Sequence, residues 1–431
     1  MAKRAMDHRR TSEFPRHRAD SKYADRSLPV VALAADETDA AGTSLELSGP
    51  VLESAAPAAE ISRDELPEDY FQEEPDTSTW LEETVQRCMA MGASDLLLNF
   101  DNTSLKLEAS ARVDGRMRPV HRVEGIEGRI IIGKFKSAAK LATGGRFAPE
   151  ETIYMVNVNG EQRKARVAAF RTADGGDAIV MRLPPSGALR RLEDLSFSPL
   201  NLQLFYDLLG AANRMIIIAG PMGSGKTTTA HGALMHVATP TRTVWTVEDP
   251  VERTLPGLIQ LEVDEDNGAG FDALLPALVR SDYDTLFLGE IRDQATAAAG
   301  VRQAKAGRQV ITTIHANNNV TALLRLIDLA VDSPLSVMDS VKGVVSQRLI
   351  GKLNPDWDGK SEIDKYKGRV PIHEVLTITD ELTEAIMTNQ PLSQLRELAE
   401  DNSMSTFAAD VERLVIAGIT DEEEARRVIG E

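Results

Sequence analysis

The sequence predicts an α/β protein: a small α+β domain followed by a larger domain built on a mainly parallel, helix-covered sheet. Three observations carry this. From Leu192 onward the short apolar runs MIIIA, TVWTV, TLFLG and QVITTI alternate with helix-length segments. Strands separated by helices imply right-handed crossovers and a sheet covered on both faces. The first of these runs leads straight into GPMGSGKTTT, Gly220–Thr229, a glycine-rich phosphate loop. The chain also has 431 residues, more than the ~250–300 that a single core usually organises, so at least two folded units are expected.

Residues 1–78 are expected to form a disordered tail. Residues 1–28 hold eight Lys/Arg against four acids, and residues 29–78 hold one Arg against thirteen acids in an Ala-, Ser- and Pro-rich stretch without helical or strand period. The basic head is either a solvated tail or an electrostatic tether to anionic lipid or an acidic partner. It has no apolar core after it, so it does not read as a secretory signal.

Residues 79–185 read as the N-terminal α+β domain. In LEETVQRCMAMGASD, Leu81, Val85, Cys88, Met89 and Met91 fall at near-helical spacing, with Gly92 as the stop. DLLLNF and SLKLEASARVDGRM alternate as strands do, with Asp114-Gly115 as a hairpin turn. Tyr154–Asn159, Lys164–Phe170 and Ala178–Leu183 are further strands, the last two joined at Asp174-Gly175-Gly176. Pro184-Pro185-Ser186-Gly187 breaks the pattern, and a linker is placed at 186–192. Residues 193–431 then form the larger domain. Its helices are expected after Gly225, around Phe271–Arg280 and around Gln294–Ala306, and its final part, roughly 320–431, reads as helical with one extended piece, RVPIHEVL.

Composition narrows the function. The net charge of −18 and 5% aromatics argue against direct nucleic-acid binding. One cysteine excludes a disulfide framework and a multi-cysteine zinc site, and no apolar run approaches the ~20 residues of a membrane span. The chain is expected to be soluble and intracellular.

The phosphate loop satisfies G-x-x-x-x-G-K-[ST] through Gly220, Gly225, Lys226 and Thr227, between a strand and a helix. Its glycines turn backbone N–H groups towards phosphate, and the helix N-terminus adds its positive dipole end. The predicted ATP contacts are Gly220, Met222, Gly223, Ser224, Gly225, Lys226, Thr227 and Thr228. Lys226 would reach the β- and γ-oxygens, and the Thr227 hydroxyl would ligate Mg²⁺. Hydrolysis also needs carboxylates at the strand ends, where open α/β sheets gather their ligands. TVEDPVE offers Glu248 and Asp249, and TLFLGEIRD offers Glu290, while Asp293 suits a helix cap better. After QVITTI, His315 and Asn317 could sense the γ-phosphate or make a structural hydrogen bond.

GPMGSGKTTT, TVEDPVE, TLFLGEIRD and ITTIHANN, in this order, resemble the secretion ATPase superfamily, which drives type II secretion, type IV pilus extension and retraction, and some type IV secretion and conjugation systems. MGASDLLLN, ARVDGRM, KARVAAF, DAIVMRLPP, SVKGVVSQRLIGKL, GRVPIHEVL and the C-terminal MSTFAADVERLVIAGITDEEEARRV extend the resemblance over about residues 80–431. It implies a RecA-like P-loop ATPase domain preceded by a PAS-like α+β domain. It also implies Walker A, Asp box, Walker B and His box roles for Gly220–Thr227, Glu248/Asp249, Glu290 and His315. Thr227 and water held by Glu290 would carry Mg²⁺, and Glu290 and Glu248 would share water activation. The family's architecture implies a homo-hexamer on an inner-membrane platform protein, cytoplasmic and peripheral to the membrane. The adjoining subunit would supply arginine to the phosphates, with Arg166, Arg182 and Arg112 as candidates. Three departures are visible. Gly289 stands in place of the Walker B aspartate, and Arg308 in place of an earlier His-box histidine that could leave a charge-sensing role there. LNPDWDGKSEIDKYKGR lacks the cysteines of a zinc loop.

Overall fold

The computed structural model describes residues 79–143, 148–158, 160–185, 187–265, 267–330, 332–361, 364–401 and 406–430. The expected disordered tail, 1–78, lies outside the described residues. Two sheets organise the rest.

The first sheet has six antiparallel strands: β1 (Asp95–Asp101), β2 (Lys106–Val113), β3 (Arg116–Glu124), β4 (Glu150–Val158), β5 (Glu161–Arg171) and β6 (Asp177–Arg182), in the order β3-β2-β1-β6-β5-β4. Alternation decides its faces. In β2 the pattern KLEASARV buries Leu107, Ala109, Ala111 and Val113 and turns Glu108 and Arg112 outward. Helices α1 (Trp80–Ala90) and α2 (Ile126–Ala138) cover the buried face, packing Cys88, Ile131 and Phe135 against Leu96, Leu98 and Ile179. The turns at Asp114-Gly115 and Asp174–Gly176 are the expected ones. Helix α2 was not foreseen in the sequence.

The second sheet has seven strands in the order β13-β12-β7-β11-β10-β8-β9. These are β7 (Arg214–Ala219), β8 (Val244–Glu248), β9 (Ile259–Glu262), β10 (Thr285–Leu288), β11 (Gln309–Ile314), β12 (Val341–Leu353) and β13 (Tyr366–Thr377). β7 to β11 pair in parallel, and the helices between them cover both faces. RMIIIA is buried on both sides: Met215, Ile217 and Ala219 pack into one core, and Ile216 and Ile218 into the other. α3 (Pro199–Gly210) and α4 (Lys226–Val237) lie on the second of these faces. α5 (Phe271–Leu278), α6 (Gln294–Lys305), α7 (Asn319–Ala330), α8 (Pro334–Ser340), α9 (Asp380–Met387) and α10 (Leu392–Asp401) lie on the first.

One expectation needs correcting. SVKGVVSQRLIGKL is not helical: it forms β12, parallel to β7 and antiparallel to β13 (the expected extended RVPIHEVL), so the sheet is mixed at that edge. Its β-branched content and near-complete burial suit a central strand better than a helix. α11 (Phe407–Ile416) and α12 (Glu422–Ile429) close a smaller core over Ile350, Val370 and Ile372.

Candidate functional site

β7 ends at Ala219 and α4 begins at Lys226, so Gly220–Gly225 form the loop between a strand end and a helix N-terminus. Glycine is required at both ends of that loop. A Cβ on Gly220 would lie 2.4 Å from the Gln347 carbonyl oxygen and 2.5 Å from Ser224 Oγ. At Gly225, where φ is +87°, it would lie 2.8 Å from Gln347 Nε2. Gln347, on β12, is nearly fully buried. It donates from Nε2 to the Ser224 carbonyl at 2.6 Å and accepts from the Thr229 hydroxyl, holding loop and helix to the neighbouring strand. Ser224 Oγ is buried with no hydrogen-bond partner among the described residues, an open valence facing a backbone cradle. Together these features fit a phosphate group.

Lys226 curls back over the loop. Its ammonium donates to the Gly220 carbonyl at 2.9 Å, the Pro221 carbonyl at 3.0 Å and His315 Nδ1 at 3.3 Å. Burial pulls its pKa down to about 8, against the opposing pull of the Glu290 carboxylate. His315 Nε2 lies 3.0 Å from Glu290 Oε1. With Nδ1 accepting from lysine, the consistent form is the neutral tautomer that donates from Nε2 to Glu290. Burial first, then Lys226, lowers the His315 pKa, and Glu290 only partly offsets this.

The contacts continue outward. Arg292 Nε lies 2.9 Å from Glu290 Oε2, and Arg292 Nη1 lies 3.5 Å from Asp249 Oδ2. Arg166, on β5 of the first sheet, reaches the same aspartate, donating to Asp249 Oδ1 at 2.7 Å and also to its carbonyl. Lys226, His315, Glu290, Arg292, Asp249 and Arg166 thus form an unbroken polar chain from the phosphate loop to the N-terminal sheet. Arg182 pairs in register with Arg166 on the adjacent strand; its guanidinium lies 3.3 Å from Asp95 and 3.6 Å from the sulfur of Met222, the loop's exposed tip. Within one chain, Arg182 thus touches the loop at Met222, whereas Arg166 stops at Asp249.

Glu248 is placed differently. At the end of β8 it is 3% exposed. Its Oε1 accepts from Thr246 Oγ1 at 2.7 Å and from Gln260 Nε2 at 3.0 Å, and its Oε2 lies 3.7 Å from His231 Nε2. Burial disfavours its charge, yet His231, Gln260 and Thr246 together hold the carboxyl below its usual range.

Most of the predicted residues converge. Thr227 is half-buried in the first turn of α4, Thr228 and Gly223 are exposed, and Asp293 caps α6 by accepting from Thr296 N. Asn317 instead accepts at its backbone carbonyl from Arg348, outside the chain of contacts around Lys226. Arg112 is not brought to the loop: its guanidinium closes its own hairpin on the Gly115 carbonyl at 3.0 Å. Arg308 does not suit phosphate sensing. It lies at the opposite end of β11 from His315, donating to the Tyr283 and Ser281 carbonyls and stacking on the Tyr283 ring. Sequence reasoning passed over Arg292, Gln347 and His231. Arg292 stands two residues from a predicted carboxylate and could have been flagged, whereas Gln347 carries no local signal.

With this geometry in hand, similarity to known proteins adds an independent line. The family described as "Type II/IV secretion system protein" matches residues 72–427. The chain is 34% identical over 330 residues to the type II secretion system protein HxcR of Pseudomonas aeruginosa, covering 74% of this chain and 70% of the relative. It is 28% identical to the type IV pilus assembly ATPase PilB of Thermus thermophilus, covering 85% of this chain but only 44% of that protein. Among solved structures, the ATPase DotB of Legionella pneumophila superposes with a TM-score of 0.64 at 18% identity, covering 82% of this chain and 97% of DotB. The pilus retraction motor PilT with bound ADP gives 0.56 at 23% identity, covering 80% and 96%. These structural likenesses establish a shared fold. Among the described residues, no helix is long and apolar enough to cross a membrane.

Proposed function

Because the chain belongs to the type II/IV secretion system protein family, we propose that it is a Mg²⁺-dependent ATP hydrolase. It works as a homo-hexameric motor on an inner-membrane platform protein, at the cytoplasmic face, for a pilus, secretion or conjugation machine. Relatives named as type II secretion proteins and as a type IV pilus assembly ATPase support the setting, and the ADP-bound retraction motor supports the ligand.

The observation that carries the reading is the polar chain from Lys226 to Arg166 around a glycine cradle. In it, Lys226 exchanges the loop carbonyls for the β- and γ-oxygens of ATP, and the Ser224 hydroxyl and loop N–H groups take up the remaining phosphate valences. Thr227 and water held by Glu290 would hold Mg²⁺, which when bound neutralises charge on the β- and γ-phosphates. His315 hands the change at Lys226 on to Glu290, so departure of the γ-phosphate registers at the carboxylate. Glu290 and Glu248 share the orientation and polarisation of the attacking water. Arg166 and Arg182 close the site from the N-terminal sheet.

The test is ATP turnover by the purified chain with and without Mg²⁺, alongside equilibrium ATP binding. Mg²⁺-dependent turnover that depends on Glu290 supports the motor. Tight ATP binding with no turnover, alone or with membrane partners, would instead make the chain an ATP-binding regulatory component.

A further inference from the structure

We propose that His231 is a positioning residue that couples the phosphate-loop helix to Glu248, seating that carboxylate when nucleotide is bound. The inference rests on the ATPase reading above and adds to it the means by which one of its two carboxylates is aligned.

Glu248 is enclosed on several sides. Its own strand supplies the Thr246 hydroxyl and β9 supplies Gln260 Nε2, and both bind the same oxygen, Oε1. The neighbouring strand β10 ends at Leu288, and at the next residue, Gly289, even a Cβ would lie 3.3 Å from the Val247 carbonyl oxygen and 3.4 Å from the Glu248 Cα. Gly289 itself offers no side chain to hold the second oxygen. Oε2 instead faces His231 on α4, across 3.7 Å. That gap is too long for a hydrogen bond, and His231 Nε2 has no partner among the described residues. Both side chains are almost fully buried, His231 4% and Glu248 3% exposed. The buried His231 Nε2 and an oxygen of the buried Glu248 carboxylate face each other just out of range, and the nitrogen lacks the contact that the oxygen could supply.

The helix that carries His231 is the one that would move. α4 starts at Lys226, and Thr227 lies one helical turn before His231. Phosphate drawn into the cradle acts on those first residues. Closing 3.7 Å to an ordinary N–H···O distance of ~2.9 Å asks for a displacement of under one ångström. An imidazole donating from Nε2 would then fix Oε2 as Thr246 and Gln260 fix Oε1. Glu248 would be fully oriented only when the loop is loaded.

The experiment compares His231→Leu, His231→Gln, Glu248→Gln and the double variant His231→Leu/Glu248→Gln, with steady-state turnover and ADP dissociation constants for each. A misplacement on this scale can cost up to ~100-fold in rate. His231→Leu is therefore expected to lower kcat roughly 10- to 100-fold with the ADP Kd within about twofold of wild type. His231→Gln, whose amide can still donate, should recover most of the loss, and the double variant should be no slower than Glu248→Gln alone. A kcat for His231→Leu within about twofold of wild type would overturn the proposal. So would losses that multiply in the double variant, or failure of His231→Gln to restore kcat while thermal melting shows it folded. If His231→Leu does not fold, Gln260→Leu tests the same seat from β9, and wild-type kcat in that variant counts against it. Wild-type turnover by Glu248→Gln would instead remove Glu248 from the reaction, a failure of the ATPase reading and not of the coupling alone.

Discussion

Glu248 at the end of β8 and Glu290 just past β10 are held by opposite means. Glu248 is sealed in and bound by neutral donors, Thr246 and Gln260, with His231 close by. Glu290 is partly open and faces His315, Arg292 and the Lys226 charge. Neutral buried hydrogen bonds fix a group, because breaking them leaves both partners unpaired in a dry place. Half-exposed ion pairs such as Arg292–Glu290 are worth only about 0–1 kcal/mol, and their partners can be traded for phosphate oxygens. In the proposed ATPase, one glutamate would therefore stay in place and the other would change partners as the γ-phosphate arrives and leaves.

The largest effect should come from the group that links this exchange to the ligand. Lys226→Ala is expected to reduce both ATP binding and turnover, with the rate falling by at least ~10²–10³-fold while thermal stability is retained. The lysine's contacts are to loop carbonyls and one histidine, so no core depends on it. Unchanged hydrolysis in a well-folded variant would end the phosphate-loop reading.

The two glutamates can then be separated directly. Glu290→Gln is expected to cut turnover by ~10²–10⁴-fold with ATP binding retained, and to leave the melting temperature close to wild type. Glu248→Gln should lower turnover too, but also destabilise the fold by about 1–3 kcal/mol, because an amide NH2 then stands where Oε2 faced His231 Nε2, a buried donor without an acceptor. Denaturant unfolding of both variants tests the contrast. Equal stability losses would show that the two seats do not differ in kind.

The difference between these seats also marks what the sequence could reveal. Strand ends, the glycine loop and both carboxylates were legible because periodicity and short motifs are local. The environments that distinguish Glu248 from Glu290 were not. His231 lies 17 residues before Glu248, and Gln260 lies 12 residues after it, on a short strand without a strong pattern of its own. Gln347 meets the loop from more than a hundred residues away, on a strand that the sequence alone led us to read as helix. Isolated apolar periodicity could not separate the two, because β12 is buried on both faces and lacks the alternation that betrays a strand. The row formed by Arg166 and Arg182 was half visible: the Asp174–Gly176 turn made their strands neighbours, but only the folded chain brings the row to Asp249 and Met222.

That row extends the comparison to the arginines. Arg166 makes a half-exposed, exchangeable contact of the Glu290 type, so Arg166→Ala should cost turnover without unfolding. A dedicated arginine finger is worth ~10³–10⁵, and with Arg182 beside it the loss here is expected to be roughly 10- to 100-fold. If Arg166 acts within its own chain, through its Asp249 contact, mixed assemblies of Arg166→Ala and Lys226→Ala chains should show no recovery. Recovery in proven mixed hexamers would assign Arg166 to the neighbour's site.

The smallest expected effect is a pH dependence of binding, and it follows from Lys226 alone. Burial brings its ammonium down to about 8 in the nucleotide-free chain, so above that pH the resting side chain is increasingly neutral. A triphosphate in the cradle favours the charged form and holds the proton on. Binding below about pH 8 then needs no proton from solvent, whereas binding at pH 9 must take one up, and affinity falls by up to about tenfold for that unit of pH. The sign is opposite to that for a carboxylate, which would release affinity as pH fell. His315 does not interfere, since its pKa is lowered and it stays neutral throughout this range. Calorimetric titration of the nucleotide in two buffers of different ionisation enthalpy measures the proton directly. Uptake approaching one proton at pH 9 and near zero at pH 7 is expected. Equal heats in both buffers at pH 9 would mean that Lys226 is already fully charged in the empty loop. The contrast between a fixed and an exchangeable carboxylate would then have to stand on Glu290, His315 and Arg292 without it.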